Sequence, residues 1–528
     1  MRTVQRVYLY AMSWTALVAL SVGFTRLTGF LIAYYAGLPF VREVFARWAG
    51  ITVIALPLFL GHALWIERVL RARPPEAQTP SYSLYVSATA AVALFYLLGA
   101  STRALSLSFQ QLWGLPSPIP EVWWSNYLTQ NAYLLWALLV LWYSRRLGNL
   151  TPPSLPSSAL RWPRLLVLLV SLAGLGMALI GTIHTGAILL LRVVPPVLPS
   201  PLAIGTWWRE PFAPRLAWTV VGWIFWGWSW YQHWAWRHAS AHARSQTRQV
   251  YYFVHVGLGL ALTLVALGYM ARQGILWLLG EPLGPRHRWW PPLATAIASL
   301  ITGAFVWIVS RHHIRKEWDD PAARWFHLTV GRWYTYVVCA VALGVTWWGA
   351  ANVIRLFTTF LLPLEGPGLN PGWWRRPLSM GLAMLLVAAP VWIRYWRYVE
   401  RVAVRADGVG QQERSARVRR VYLYGTSLIA GLVMFFYLGR AAYAIWLWVL
   451  GASPAAFWSA LVNGIGPGGM AFLIWAYHLY VLRRDARYPP AAPEEARASL
   501  LAEREVLLRR LAEIEAQLQQ LERPQGQQ

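Results

Sequence analysis

Arg6-Val7-Tyr8-Leu9-Tyr10 opens the first long apolar stretch of the chain, and Arg420-Val421-Tyr422-Leu423-Tyr424 opens a similar stretch near its other end. Aligning the chain on that match brings out six copies of one pattern, the signature of an internal repeat. The first helix of each copy opens with Tyr8, Tyr85, Leu166, Tyr251, Tyr334 or Tyr422. Eighteen positions on stands a polar residue: Arg26, Arg103, His184, Tyr269, Asn352 or Arg440. Eleven further on comes a helix terminator: Gly37, Gly114, Pro195, Gly280, Pro363 or Gly451. A linker carrying tryptophan follows, at Trp48, Trp123-Trp124, Trp207-Trp208, Trp289-Trp290, Trp373-Trp374 or Trp458. A second helix of about 20 apolar residues, the length that spans a bilayer, then closes on Trp65, Trp142, Trp230, Trp307, Trp392 or Trp475, each near a basic residue or a histidine.

Composition sets the solvent for this pattern. Of 528 residues, 57% are hydrophobic and 13% charged, about half the usual charged share of a soluble protein. With the apolar residues gathered in long runs, the bilayer is the expected surrounding. Soluble, disordered and disulfide-built classes are excluded. Basic residues number 47 against 21 acidic ones, a net charge of +26. The arginines flank apolar segments, where they snorkel to headgroups and attract anionic lipid. Membrane lipids are therefore the expected partner, and nucleic acid is not. Cys339, the single cysteine, lies in an apolar run and closes no disulfide within the chain.

Six copies of two helices predict an all-α integral membrane protein of about twelve spans, all copies pointing the same way. The repeats fall at 1–75, 81–148, 159–243, 245–318, 323–405 and 414–487. Tyr8 to Arg26 measures about 27 Å as helix, so Arg26 and its counterparts belong at the far interface. The apolar residues beyond them predict short interfacial or protruding helices. Pro57 and Pro390 lie in second helices and predict kinks. The segments between repeats, with both termini but without the tail beyond Pro493, carry roughly twice the arginine and lysine of the linkers within repeats. By the positive-inside rule they face the cytoplasm, and Arg417, Arg419 and Arg420 read as part of a cytoplasmic loop. The N-terminus reads as a retained first span, because the apolar stretch exceeds a signal-peptide core.

After Arg484 the composition changes. Pro489, Pro490 and Pro493 break the helix, and a charged segment follows. Leu500, Leu507, Leu511, Ile514, Leu518 and Leu521 recur at three- and four-residue spacing, with Arg504 at one seam position. Residues 494–522 are therefore expected to form a cytoplasmic coiled coil through which the chain self-associates.

Chemistry is sparse. The central part of each expected span lacks Asp and Glu, which argues against a proton relay or a carboxylate-based ion site. Arg26, Arg103 and Arg440 are candidate contacts for an anion or a lipid phosphate, with interfacial snorkelling as the plainer role. His238 and His242 have a spacing that can share a metal, but no carboxylate or cysteine stands beside them. His312-His313 reads as loop, and nothing in the spacing of His62, His255 and His478 selects a haem pair. Neither a metal nor a cofactor is expected. The run Asn463-Gly464-Ile465-Gly466-Pro467-Gly468-Gly469 is a candidate discontinuous helix offering backbone carbonyls to a substrate; a close-packed or kinked segment at a helix entrance is the plainer reading.

The openings Arg6 to Tyr10 and Arg420 to Tyr424, with the closing run Trp228-Ser229-Trp230-Tyr231-Gln232-His233-Trp234-Ala235-Trp236-Arg237, resemble a bacterial membrane family known as domain of unknown function 5671. The resemblance covers roughly residues 1 to 487 and implies tandem multi-pass units. It implies no activity and carries over no catalytic position. The third and fourth repeats depart most, lacking the arginine late in the first helix. The expected role is non-enzymatic: a structural, scaffolding or sensing protein of the bacterial cytoplasmic membrane, multi-pass with both termini cytoplasmic. The alternative is a transporter or channel for an apolar or anionic solute.

Overall fold

The computed structural model describes residues 3–115, 119–150, 161–193, 208–235, 246–281, 286–318, 324–361, 372–451, 454–488, 501 and 503–515. In chain order its helices are α1 (Thr3–Tyr35), α2 (Arg42–Ala72), α3 (Pro80–Leu112), α4 (Pro120–Asn149), α5 (Arg161–Val193), α6 (Arg209–Ala235) and α7 (Gln246–Leu278). They continue as α8 (Arg286–Trp318), α9 (Arg324–Leu361), α10 (Arg375–Ala403), α11 (Gly408–Ser415), α12 (Arg417–Val449) and α13 (Pro454–Arg487). A 3-10 turn, Pro74–Gln78, joins α2 to α3. Among the described residues there is no strand. Ten of the helices are long and apolar enough to cross a membrane. The other two long ones, α4 and α6, are crowded with tryptophan and tyrosine, whose polar tips suit the membrane interface.

An apolar surrounding offers no hydrogen bonds, so each rod has to satisfy its own backbone. Its hydroxyl side chains do the same. Ser21, Thr89, Thr302 and Thr346 donate to the carbonyls of Leu17, Tyr85, Ala298 and Ala342 one turn back. The first helices of the repeats do not break near Arg26 or its counterparts. With 33 residues, α1 is about 50 Å long, and no separate interfacial helix follows it. Nothing between Arg26 and Tyr35 interrupts the ladder, so the helix runs on until a glycine stops it. Four rods end on a glycine in the left-handed region: Gly37 (φ 92°), Gly114 (φ 63°), Gly280 (φ 73°) and Gly451 (φ 87°). At three of these ends the next amide reaches back, Leu38 to Ala33, Leu115 to Gln110 and Glu281 to Leu276. That is the Schellman closure, which a side chain at the glycine would strain. Pro195 and Pro363 lie outside the described residues.

Packing runs opposite to that of a soluble protein. Large apolar side chains such as Phe95, Leu135, Val265 and Phe435 face outward, while the buried set is dominated by alanine, serine and threonine. Between helices in lipid there is little hydrophobic drive, and small residues let backbones approach. One such position stands eight residues beyond each of Tyr8, Tyr85, Leu166, Tyr251, Tyr334 and Tyr422: Ala16, Ala93, Gly174, Gly259, Ala342 and Ala430 are all buried. Several hairpin seams leave no room for a methyl group. A Cβ on Gly222 would meet the Ala178 amide nitrogen at 2.3 Å, one on Gly259 the Trp307 nitrogen at 2.6 Å, and one on Gly464 the Tyr437 carbonyl at 2.7 Å.

The chain folds as two compact bodies, residues 1–266 with 283–330 and residues 267–282 with 331–528. In the first, α1–α2, α3–α4 and α5–α6 pair as hairpins, α1 also packs on α3 and α4, and α5 packs on α8. In the second, α12–α13 form a hairpin and α11 bridges α10 and α12. There α9 meets α10 where Gly349 faces Gly381, and meets α13 where Gly466 faces Ala351. Of the tail at 494–522, residues 503–515 are helical and exposed throughout, Leu507, Leu511 and Ile514 included; most of its other residues lie outside the described set.

Candidate functional site

At one end of the second body, six charged side chains from five helices join in one network. Arg419 of α12 is fully buried. Its Nε donates to Asp485 at 2.7 Å, one terminal nitrogen to Glu400 at 2.7 Å, and the other to the Tyr336 hydroxyl at 3.4 Å. Its guanidinium also lies over the Trp396 ring. Arg484 binds Glu400 and Asp485 from the other side. The Tyr336 hydroxyl donates to Glu413 at 2.8 Å, and Arg332 pairs with that carboxylate at 2.8 Å. Three cations thus meet three anions, which is what allows so many charges to leave water together. Arg419 was expected in a cytoplasmic loop. Residues 417–420 instead form the first turn of α12, because the carboxylates on α10 and α13 draw the guanidinium inward.

Part of this network is built a second time in the first body. Arg6 binds Glu76 through two nitrogens, and Glu76 is buried like Glu413. Each arginine stands two residues before the opening tyrosine, Tyr8 or Tyr334, and each glutamate nine before the next, Tyr85 or Tyr422. Tyr10 lies beside Glu76 as Tyr336 does beside Glu413. Arg164 occupies the same register in the third repeat, but His242 stands where the glutamate would, outside the described residues. The sequence reading missed this pairing, and the equal spacings were the signal that could have found it. Glu413→Gln keeps an acceptor for Tyr336 but removes the charge facing Arg332. We expect it to destabilise the second body by about 1–3 kcal/mol, read as earlier reaction of the buried Cys339 thiol with a maleimide dye on heating. An unchanged profile would contradict a role for the pair.

A second contact also skips from one repeat to the next. The Ser13 and Tyr85 hydroxyls lie 2.8 Å apart, and those of Ser171 and Tyr251 2.6 Å apart. Cys339 and Tyr422, in the same register, share one buried cluster. Tyr82, three residues before Tyr85 as Arg419 is before Tyr422, donates to the Leu147 carbonyl. Two histidines are enclosed in these layers. His255 faces the Tyr251 carbonyl through Nδ1 and accepts the Trp226 indole N–H at Nε2, so both ring nitrogens are engaged. His478 faces the Ile474 carbonyl and lies 3.4 Å from the Tyr422 hydroxyl. Among the described residues, no group of three or more His, Cys, Asp or Glu is arranged to hold a metal. The side chains of His233, His238 and His242 lie outside them.

Arg26, Arg103 and Arg440 are exposed and stand on three different helices, α1, α3 and α12. Arg26 lies near Tyr133. Among the described residues of the first body nothing joins Arg26 to Arg103, and Arg440 belongs to the second. The run Asn463 to Gly469 is helical throughout, so the discontinuous helix considered there is not formed. Gly464, Gly466 and Gly468 instead seat α13 closely against Tyr437, Ala351 and Leu438. The Pro467 carbonyl accepts the Trp347 indole N–H. Close packing holds the helix together across its proline, and Gly469 faces open space.

Asn463 has another role. With Asn352, Arg355, Thr359, Trp373 and Val462 it lines a pocket of about 160 Å³ within the second body. Nearby, Arg375 donates to the Gly280 carbonyl at 2.9 Å and Arg376 pairs with Glu281. In the first body Arg209 donates likewise to the Trp113 carbonyl. Arg375 and Arg209 neutralise the exposed carbonyl end of a helix.

The family model described as a domain of unknown function (DUF5671) matches residues 164–286 and 332–477. No curated protein and no solved structure matches the chain.

Proposed function

We propose, on the premise that this chain belongs to the DUF5671 family, that it is a non-catalytic scaffolding or sensing protein of the bacterial cytoplasmic membrane. In this reading all twelve long helices cross the bilayer, α4 and α6 included. The six helix pairs are grouped by two into three four-helix modules, 3–149, 161–318 and 324–487. The contacts that skip from an odd repeat to the following even one support that grouping: Arg6 with Glu76, Ser13 with Tyr85, Ser171 with Tyr251, and Arg332 with Glu413. The matched stretch 332–477 covers most of the last module. Both termini and the ionic ends of the first and last modules face the cytoplasm, in line with the excess of arginine there.

One observation carries the functional conclusion. The charged groups gathered at the ionic end are bound to one another, and the helix seams close at backbone distance, so the molecule offers a framework more than a reaction centre. The exposed apolar stripe of 503–515 gives that framework a handle for self-association, with a second copy as partner. Removing residues 494–528 is then expected to reduce the protein mass of the detergent-solubilised particle by at least one protomer, measured by light scattering. An unchanged mass would contradict assembly through the tail. A transporter for an apolar or anionic solute is the second reading, favoured by the pocket around Arg355. Solute flux into vesicles carrying the protein, above that of empty vesicles, would move the conclusion to transport.

A further inference from the structure

We propose that the pocket bounded by Asn352, Arg355, Thr359, Trp373 and Asn463 is a binding site for a phosphate ester whose phosphate pairs with Arg355. The proposal rests on the membrane reading given above, because depth is its first argument. Arg332 marks the ionic end of α9, and Arg355 stands 23 residues further along the same helix. That is about 35 Å of helix, just beyond the roughly 30 Å apolar slab. Arg355 therefore sits in the headgroup layer on the side opposite the ionic network. Trp373 and Trp374 lie at the same end, as interfacial tryptophans do.

Charge is the second argument. Arg375 and Arg376 are occupied by Gly280 and Glu281. Arg355 has no carboxylate partner among the described residues, and its side chain is exposed at the mouth of a cavity. A guanidinium presents paired N–H groups that match phosphate oxygens. The rest of the wall fits an ester better than a bare ion. Asn352 spends its amide N–H on the Trp348 carbonyl, which leaves its oxygen to accept a ligand hydroxyl. Leu356 and Val462 supply an apolar wall for a glycerol backbone. At about 160 Å³ the space is smaller than the roughly 300–1,000 Å³ of pockets for drug-sized ligands, and suits a small headgroup. Phosphatidylglycerol and a soluble ester such as glycerol 3-phosphate share this chemistry.

The test uses the full-length protein in detergent and counts retained lipid by native mass spectrometry. Arg355→Gln is compared with the natural protein and with Arg401→Gln, an exposed arginine at the far end of α10 from the pocket. Tightly retained phosphatidylglycerol is expected to fall about tenfold in R355Q, the loss expected for one charged hydrogen-bonded contact, and to stay unchanged in R401Q. Millimolar glycerol 3-phosphate is then added to the natural protein. Retention that persists identifies the lipid headgroup as the source, and displacement identifies the soluble ester; both support phosphate on Arg355. Equal retention by R355Q and the natural protein, or equal losses in the two variants, would overturn the proposal. In either of those cases lipid still coating both variants would leave the membrane reading standing, whereas a chain that stays dispersed without detergent or lipid would sink that reading instead.

Discussion

Arg419→Ala is expected to destabilise the second body by about 3–5 kcal/mol, the usual cost of removing one partner from a buried ion pair. The guanidinium is fully buried and serves Glu400, Asp485 and Tyr336 together, so its loss leaves two carboxylates poorly compensated. Arg419→Lys should recover only part of this, because an ammonium cannot reproduce the fork that reaches both acids. The double variant Arg419→Met, Asp485→Asn should recover most of it, since Arg484 keeps Glu400 as partner and the cost lies in the unpaired charge. Heating each variant with a maleimide dye reports unfolding through Cys339, which is buried against Trp396 and Tyr422. A loss below about 1 kcal/mol for R419A would place the network among surface ion pairs and remove its structural role.

The second large effect belongs to the seam between α5 and α6. A Cβ on Gly222 would lie 2.3 Å from the Ala178 nitrogen and 2.9 Å from the Gly174 carbonyl. Backbone cannot yield as a flexible side chain would, so Gly222→Val has to part the two helices. Overpacking of this kind costs about 3 kcal/mol. The displaced helices would also separate Trp223 from Thr182, whose hydrogen bond spans the seam at 2.9 Å. Gly227 is the internal control, five residues further along α6 and with open space where its Cβ would go. Gly227→Ala should be neutral or stabilise by up to about 1 kcal/mol, since alanine is the better helix former. Thermal melts followed by circular dichroism separate the two, and equal effects would contradict the close-packed seam.

How far the sequence revealed this molecule depends on the range of the signal. Local patterns were read directly. Hydrophobic runs mark the helices, and Gly37, Gly114, Gly280 and Gly451 stand where rods end. The lesson fails where two distant segments meet. Glu76 and Glu413 look like ordinary loop carboxylates until Arg6 and Arg332 are brought opposite them. Arg419 looks solvated because Arg417 and Arg420 stand beside it in the sequence, and only the approach of α10 and α13 buries it. The glycines of Asn463 to Gly469 fit unwinding or close packing alike, since glycine weakens an isolated helix and also admits a neighbour. In the folded chain the same lack of side chain admits α9 and α12 at close range, and packing outweighs propensity. The pocket escaped notice because its wall joins the end of α9 to the starts of α10 and α13, and no linear spacing links Arg355 to Asn463.

The central claim, twelve crossings by six like-oriented helix pairs, is tested most directly by which face of the membrane each connection reaches. In a Cys339→Ser background, single cysteines are placed at Pro39, Ile119 and Thr206, and at Arg73, Leu150, Ser240 and Ala406. A membrane-impermeant maleimide is then applied to intact cells. The first three should be labelled, and the other four protected until the membrane is opened. Ile119 and Leu150 labelled together, or Thr206 and Ser240 together, would show that α4 or α6 does not cross and would contradict the twelve-helix arrangement.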